Sequence, residues 1–313
     1  MEFAAPAAVR RLVALAGAKS LRQLCCMPAL PLLVLTVLCG GAHGDPPADA
    51  TAAALRKAVT FYASFDEQTT ADFGQGDLTL WTRYGEAAKG TTLERHEIDA
   101  KRLRIVRAGG ASRGALEFLD VIPNDGFVFF RARGKLLVKP GGWGGSMSIW
   151  LKCDPSKLKT QYCDPMQIVG RRYNNGAVWT DFTPDRPRDL RLGLFPSLPE
   201  GQAGPEKAEK LQPIVRAKAP AIQPGKWHNL LMTWENFDTG RKDARATLYL
   251  DGAPIAQLVD QAGQMNWDLD RVRIFLGAAL IGMIDEVTIF DHPLSSTEIA
   301  DVASQPALFA GLK

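Results

Sequence analysis

The chain has 313 residues, 46% of them hydrophobic and 23% charged, with 29 glycines and 20 prolines. This is globular composition, rich in turn formers, and it excludes a disordered, collagenous or multi-span membrane protein. The formal net charge of +3 sits wholly in residues 1–44, where Arg10, Arg11, Lys19 and Arg22 outnumber Glu2. The remainder is balanced, which excludes a nucleic-acid binder driven by surface charge.

In chain order, the first element is a targeting segment. The basic stretch Arg10–Arg22 precedes an apolar run, Pro28–Cys39, that has about the length of a signal-peptide core and is short for a membrane span. Ala42-His43-Gly44 supplies small residues for cleavage before Asp45. Residues 1–44 therefore read as a signal peptide, and no stable membrane span remains after cleavage. The long basic region also allows a start downstream of Met1. A lipoprotein modified at Cys39 and an uncleaved anchor are the alternatives. The lipoprotein reading lacks the small residue that should precede the cysteine, because Val37-Leu38 stands there. Residues 45–57 read as a short mature leader.

Cys25, Cys26 and Cys39 leave with the signal, so the exported chain keeps Cys153 and Cys163. An even pair in an exported protein reads as a disulfide. A metal pair or a redox pair is the alternative, although the spacing matches no Cys-x-x-Cys site.

The body reads as short strands between turn clusters: 59–65, 103–106, 115–119, 127–131, 146–152, 166–169, 177–182, 190–195, 227–234, 246–250, 254–258, 272–276 and 283–290. Many short strands without intervening helices predict an all-β, two-sheet antiparallel sandwich. One helix is predicted near the C-terminus, where Ser295 and Glu298 form a capping box ahead of Ile299, Val302 and Ala303. Residues 304–313 read as a tail. Residues 196–226 hold six prolines and read as a long surface excursion, a lid being the alternative. Within it a short helix at 205–211 and an edge strand near Ile214–Ala217 are predicted.

Five segments together carry a family resemblance. Ala58-Val-Thr-Phe-Tyr-Ala-Ser-Phe-Asp-Glu67 opens the domain, and Ser146-Met-Ser-Ile-Trp-Leu-Lys152 follows. Gly225-Lys-Trp-His-Asn-Leu-Leu-Met-Thr-Trp234 precedes Ala246-Thr-Leu-Tyr-Leu-Asp-Gly252. Gly282-Met-Ile-Asp-Glu-Val-Thr-Ile-Phe290 closes it. In this order they resemble the laminin-G-like jelly-roll domains of the concanavalin A-like lectin/glucanase superfamily, over residues 58–303. The resemblance implies a jelly-roll sandwich. It does not fix function, because the superfamily includes lectins, hydrolases and adhesion modules.

A retaining hydrolase on this scaffold needs two carboxylates about 5–5.5 Å apart, which the family's hydrolases place in a Glu-x-Asp-x-x-Glu run. No such run exists here. Glu286 with Asp291, and Glu235 with Asp238, are the nearest substitutes, and neither pair reads as catalytic. No His-Glu-x-x-His, P-loop or dinucleotide glycine motif is present. Trp150, Trp227 and Trp234 lie in apolar strands and read as core. Trp81, Trp143, Trp179 and Trp267 stand near turns. Of these, Trp143, exposed on the Gly141–Gly145 loop, and Trp179 are the candidate ligand contacts, the alternative being that they plug the sandwich ends. His228 reads as pointing outward, without chemistry.

The resemblance also implies a structural calcium ion held by Asp285 with carbonyls near the first strand, joined by Asp66 or Glu67. The alternative is that Asp285 only hydrogen-bonds backbone. A regular strand cannot place Ile284, Val287 and Ile289 on one face, so Asp285 is expected on the core face with Val287 and Ile289, stapled to Phe65–Glu67. The resulting reading is a secreted or envelope-located, non-enzymatic binding module for a glycan or another extracellular component. A glycan-active hydrolase and a purely structural envelope module are the alternatives.

Overall fold

The computed structural model describes residues 48–86, 91–123, 126–172, 175–199 and 213–313. The expected signal segment, its cleavage site and the helix expected at 205–211 lie outside them.

Two antiparallel sheets face each other. The first holds nine strands. Seven of them run in the order β15 (Ala253–Gln261), β14 (Ala244–Leu250), β13 (His228–Phe237), β8 (Trp143–Cys153), β17 (Gly282–Phe290), β1 (Val59–Ala63) and β2 (Phe73–Gly74). β6 (Ala115–Phe118) pairs with the start of β17, and β5 (Leu103–Val106) pairs with β6. The second sheet runs β12 (Ile214–Ala217), β11 (Leu190–Phe195), β10 (Asn175–Phe182), β9 (Cys163–Arg172), β16 (Arg273–Ala278), β7 (Phe127–Arg131), β3 (Trp81–Glu86) and β4 (Thr91–Arg95). The expected edge strand at Ile214–Ala217 is β12. β2, β3 and β4 were not legible, because β2 is only two residues long and β3 and β4 lack an apolar alternation.

Strand alternation builds the core. Met147, Ile149 and Leu151 of β8 and Leu230, Met232 and Trp234 of β13 face Val128 and Phe130 of β7, Ile168 of β9, Val178 of β10 and Leu192 and Leu194 of β11. Burying each of these side chains contributes about 1.5–3 kcal/mol before entropy is counted. The same alternation turns Ser146, Ser148 and Trp150 outward. Trp150 is therefore half-buried on the outer surface, which corrects its expected place in the core.

Within the segment that reads as a short mature leader, residues 48–58 form helix α1 (Ala48–Ala58). With α2 (Ser296–Ser304) and a 3-10 turn at Pro306–Phe309, it covers the outer side of the first sheet. Leu55, Tyr62, Leu231, Phe290, Leu294, Ile299, Val302 and Phe309 make that second apolar layer. The capping box of α2 is formed as expected, with Ser295 and Glu298 exchanging hydrogen bonds. Arg56 of α1 donates to the carbonyls of Leu308 and Ala310, so the C-terminal residues are docked. Among the described residues no helix is long and apolar enough to cross a membrane.

β17 resolves the parity conflict at Asp285. Its pairing with β8 slips between Asp285 and Thr288, and Glu286 takes a positive φ of 52°. This bulge adds one residue, so Ile284, Val287 and Ile289 all enter the core. Asp285 instead lies opposite Trp150, on the outer side of the sheet. Its expected place on the core face is overturned.

Candidate functional site

Asp285 is fully buried (0% exposed), and its partners are not in the opening strand. Oδ2 accepts the N–H groups of Ala111 (2.8 Å) and Ser112 (3.3 Å), and Oδ1 accepts that of Glu286 (2.8 Å). Asp66 holds the same loop from its other end. Its Oδ1 accepts Gly114 N–H at 2.8 Å and its Oδ2 pairs with Arg113. The loop between β5 and β6 is also fixed at Gly109, whose carbonyl accepts from Lys152 and Trp227. Trp227 is thus half-buried at this outer surface and not in the core. A β-carbon at Gly110 would stand 1.8 Å from the Gly114 carbonyl oxygen, so only glycine fits that turn.

A calcium ion needs six to eight oxygen donors. Here N–H groups and a guanidinium already face the carboxylate oxygens of Asp285 and Asp66, and Glu67 is exposed. Among the described residues no group of three or more His, Cys, Asp or Glu is placed to hold a metal. The donor set does not fit the expected ion. Burial pushes the Asp285 carboxyl up to about 7, against the pull of its N–H donors. Glu286, 2% exposed, is raised to about 8 by burial and then by Asp285, and its Oε2 accepts the Tyr62 hydroxyl at 2.7 Å.

The tryptophans depart from expectation. Trp143 is not on a loop. It opens β8, is 6% exposed, donates to Asp238 at 2.7 Å, and packs against Trp234, Phe237 and Trp267. It closes one end of the core and offers no open ring to a ligand. Trp179 is 5% exposed, again too covered to serve as a stacking platform. Its ring lies over Gly193, where a β-carbon would approach it to 2.2 Å, and edge-on to Phe195. His228 is buried, not outward. Its Nδ1 lies 2.7 Å from Asp251, and its Nε2 accepts the Gln223 N–H. Glu235 and Asp291 lie apart, half-buried on β13 and exposed beside His292.

Trp179 nevertheless marks a patterned surface. The side of the second sheet turned away from the core carries one cross-strand row of Trp81, Phe129, Phe275, Gln167 and Trp179. Arginines lie across the rings: Arg131 is 4.4 Å from Trp81, Arg273 is 5.2 Å from Phe129 and Arg83 is 5.7 Å from Phe127. Such contacts contribute ~0.5–2 kcal/mol each, and Glu94 links Arg131 to Arg273.

At one end of this face, charge is concentrated. Arg191 forks onto Asp181, with Nε at 2.8 Å from Oδ1 and a terminal nitrogen at 2.5 Å from Oδ2. The guanidinium lies between two rings, 4.8 Å from Tyr162 and 5.3 Å from Trp179. β9 slips register against β10 between its pairings with Thr180 and Phe182, which sets Asp164 near Asp181. Burial, then Asp181, hold the Asp164 carboxyl well above the usual range, against the pull of Arg191. Gln167 donates to Asp164 at 3.1 Å. Asp164, Tyr162, Asp181 and Arg191 are the residues sequence reasoning missed. The available signal was the alternation Trp179–Asp181 and Arg191–Gly193 across one hairpin, which puts the Trp179, Asp181 and Arg191 side chains on one face.

Comparison with known proteins fits this architecture. A laminin-G type family model, described as the concanavalin A-like lectin/glucanases superfamily, matches residues 144–300. The chain belongs to that superfamily. No curated protein matches it. Among solved structures, the superfamily member described here is similar to the receptor binding domain of botulinum neurotoxin D. The TM-score is 0.51 at 11% identity, covering 80% of this chain and 53% of that one. A second structure, the botulinum neurotoxin serotype D binding domain, gives 0.50 at 12%, covering 81% and 52%. The chain thus spans about half the length of these neurotoxin domains. Domain 4 of AbnA, a GH43 extracellular arabinanase from Geobacillus stearothermophilus, was solved in complex with arabinotriose. It gives 0.45 at 16%, covering 78% and 98%. At these identities the likeness concerns the fold alone.

Proposed function

We propose that the chain is an exported, non-enzymatic binding module that recognises a glycan through the outer face of the second sheet. The observation that carries this reading is the aromatic and arginine array on that face. Strand positions that would ordinarily be solvated and polar instead hold rings bracketed by guanidinium groups and carboxylates. Trp81 and Phe127, which are partly exposed, and the exposed Tyr162 offer apolar surface to the C–H face of a sugar, while Phe129, Phe275 and Trp179 are buried behind them. Export follows from the tripartite order of residues 1–44, with cleavage before Asp45. A receptor binding domain, that of botulinum neurotoxin D, shares the fold.

The arrangement does not favour hydrolysis. A hydrolase needs one carboxylate as acid and a second free to act as nucleophile or base. Asp181 gives an oxygen to each of two Arg191 nitrogens, and Glu286 is buried against Tyr62 on the other sheet. The test is a glycan array probed with the exported protein, followed by a reducing-sugar assay on each glycan that binds. Saturable binding without sugar release is the expected result. Turnover of a bound glycan, or an array with no signal, contradicts the reading.

A further inference from the structure

The outer face of the second sheet ends in a notch of about 260 Å3. The loop at 121–123 and Gly126–Phe127 form one wall, Thr160 and Tyr162 another, and the turn Ala278–Ala279 a third, with Asp164 among the lining residues. Its volume lies below the ~300–1,000 Å3 of sites that hold drug-sized ligands. Tyr162 is 43% exposed although the ring contacts Arg191, so part of its surface stays open to solvent. Phe127 opposite is partly exposed as well.

The notch is held rigid by a buried cation bonded to carbonyl groups. Arg188 is 4% exposed, and its two terminal nitrogens donate to the carbonyls of Leu158, Thr160, Gln161 and Thr183. Three of these carbonyls belong to the loop that presents Tyr162. Thr160 adds a hydrogen bond to the Tyr162 carbonyl at 2.6 Å. From the other side Tyr162 contacts Arg191, which Asp181 fixes in a bidentate fork. An exposed ring held this firmly loses little entropy on binding, which is the requirement for a preorganised contact.

Resting on the glycan reading above, we infer that this notch is a subsite for a single terminal sugar ring. Its C–H face packs on Tyr162 and Phe127, and its hydroxyls are read by Asp164. The mixture of lining groups carries the choice of a sugar over an apolar or an anionic ligand. Two rings provide flat apolar surface, and the lining residues include a carboxyl group and no basic side chain. Asp164 is oriented by the Gln167 amide, and burial and then Asp181 raise its carboxyl above the ordinary carboxylate range. In either protonation state a carboxyl group can hydrogen-bond a sugar hydroxyl. The size of the notch limits the occupant to about one ring, so recognition is of a chain end.

The experiment is saturation-transfer NMR on the full exported chain. The probes are the free monosaccharides glucose, galactose, mannose and N-acetylglucosamine, together with each array-positive glycan. At least one monosaccharide is expected to give transfer and to compete with the glycan. Tyr162→Ala should weaken glycan binding at least tenfold, Tyr162→Phe should keep it within about threefold, and Asp164→Asn should alter which sugar is preferred. Trp150→Ala, on the opposite sheet, should leave binding unchanged. If the wild type binds an arrayed glycan and Tyr162→Ala binds it equally, or if no monosaccharide competes, the notch is not the subsite. If the wild type binds no glycan at all, the functional reading itself fails and the subsite with it.

Discussion

Asp285 Oδ2 accepts the backbone N–H of Ala111 at 2.8 Å, across 174 residues of chain. That bond joins the closing strand of the first sheet to the loop between β5 and β6, and it explains why a carboxylate is tolerated at a fully buried position. An unpartnered buried charge costs several kcal/mol. Here three N–H groups face the carboxylate.

Removing that acceptor should therefore be costly. Asp285→Ala removes the acceptor of three donors, one buried and two partly buried, and should destabilise by about 1–3 kcal/mol, read as a lowered midpoint in urea. Gly110→Ala should do comparable damage, because its β-carbon meets the Gly114 carbonyl. Chelation of the wild type should leave its melting temperature unchanged, since N–H groups and Arg113 occupy the places a metal would need. A melting temperature that falls in EDTA and recovers with calcium would show that the loop opens to admit an ion.

The same cluster sets a pH dependence. Glu286 is raised to about 8 and Asp285 to about 7, both above their ordinary values, chiefly by burial. Folding thus favours the protonated forms. Their stabilising contribution is present in full below the ordinary carboxylate range and is lost as pH rises towards 8. A tenfold gain in proton affinity on folding corresponds to ~1.4 kcal/mol, so the loss between about pH 5 and 8.5 is on the order of a few kcal/mol. Unfolding free energies measured across that window should decline, and Glu286→Gln should flatten the decline. An equal slope in the mutant would assign the dependence to other groups.

Cys153 ends β8 in the first sheet and Cys163 begins β9 in the second. Both are buried in the shared core, as separate thiols. Burial pushes the Cys153 thiol up to about 12 and raises Cys163 as well, so neither is a reactive nucleophile in the fold. We propose that they are linked when the chain folds in an oxidising compartment, stapling sheet to sheet. Closing so short a loop should add roughly 2–3 kcal/mol in the chain-entropy model. Non-reducing peptide mapping of the exported protein should find the linked pair. Two alkylatable thiols after unfolding without reductant would exclude it.

Gly193 tests the packing of the candidate face. Gly193→Val would drive a side chain into the Trp179 ring, displacing Arg191 from its place between Trp179 and Tyr162. Glycan binding should fall at least tenfold while the core, on the other side of the sheet, keeps its cooperative unfolding. Unchanged binding would detach this end of the face from recognition.

Much of the fold was legible because period-two alternation and turn clusters state it locally. The strands of the central hairpin, the closing strand and the capped helix α2 all stand where the sequence puts them. The tryptophans were not legible. Trp150 and Trp234 occupy similar apolar strands, yet alternation turns one outward and the other inward. Trp143 lies beside a glycine run that looks like a loop and is strand instead. Asp285 failed for a different reason. One bulge residue, Glu286, reverses the face of everything before it, and no local pattern announces a bulge. Tyr162, Asp164, Asp181 and Arg191 become neighbours only through the register of three strands.

The central claim is that ligand binds at the outer face of the second sheet, and the indole N–H signals of the tryptophans report on it directly. Trp179 and Trp81 lie on that face, whereas Trp150 and Trp227 lie on the outer side of the first sheet. Titrating an array-positive glycan into the labelled protein should move the Trp179 indole signal and leave those of Trp150 and Trp227 in place. Shifts at Trp150 and Trp227 with Trp179 unmoved would place the ligand on the opposite sheet and contradict the account.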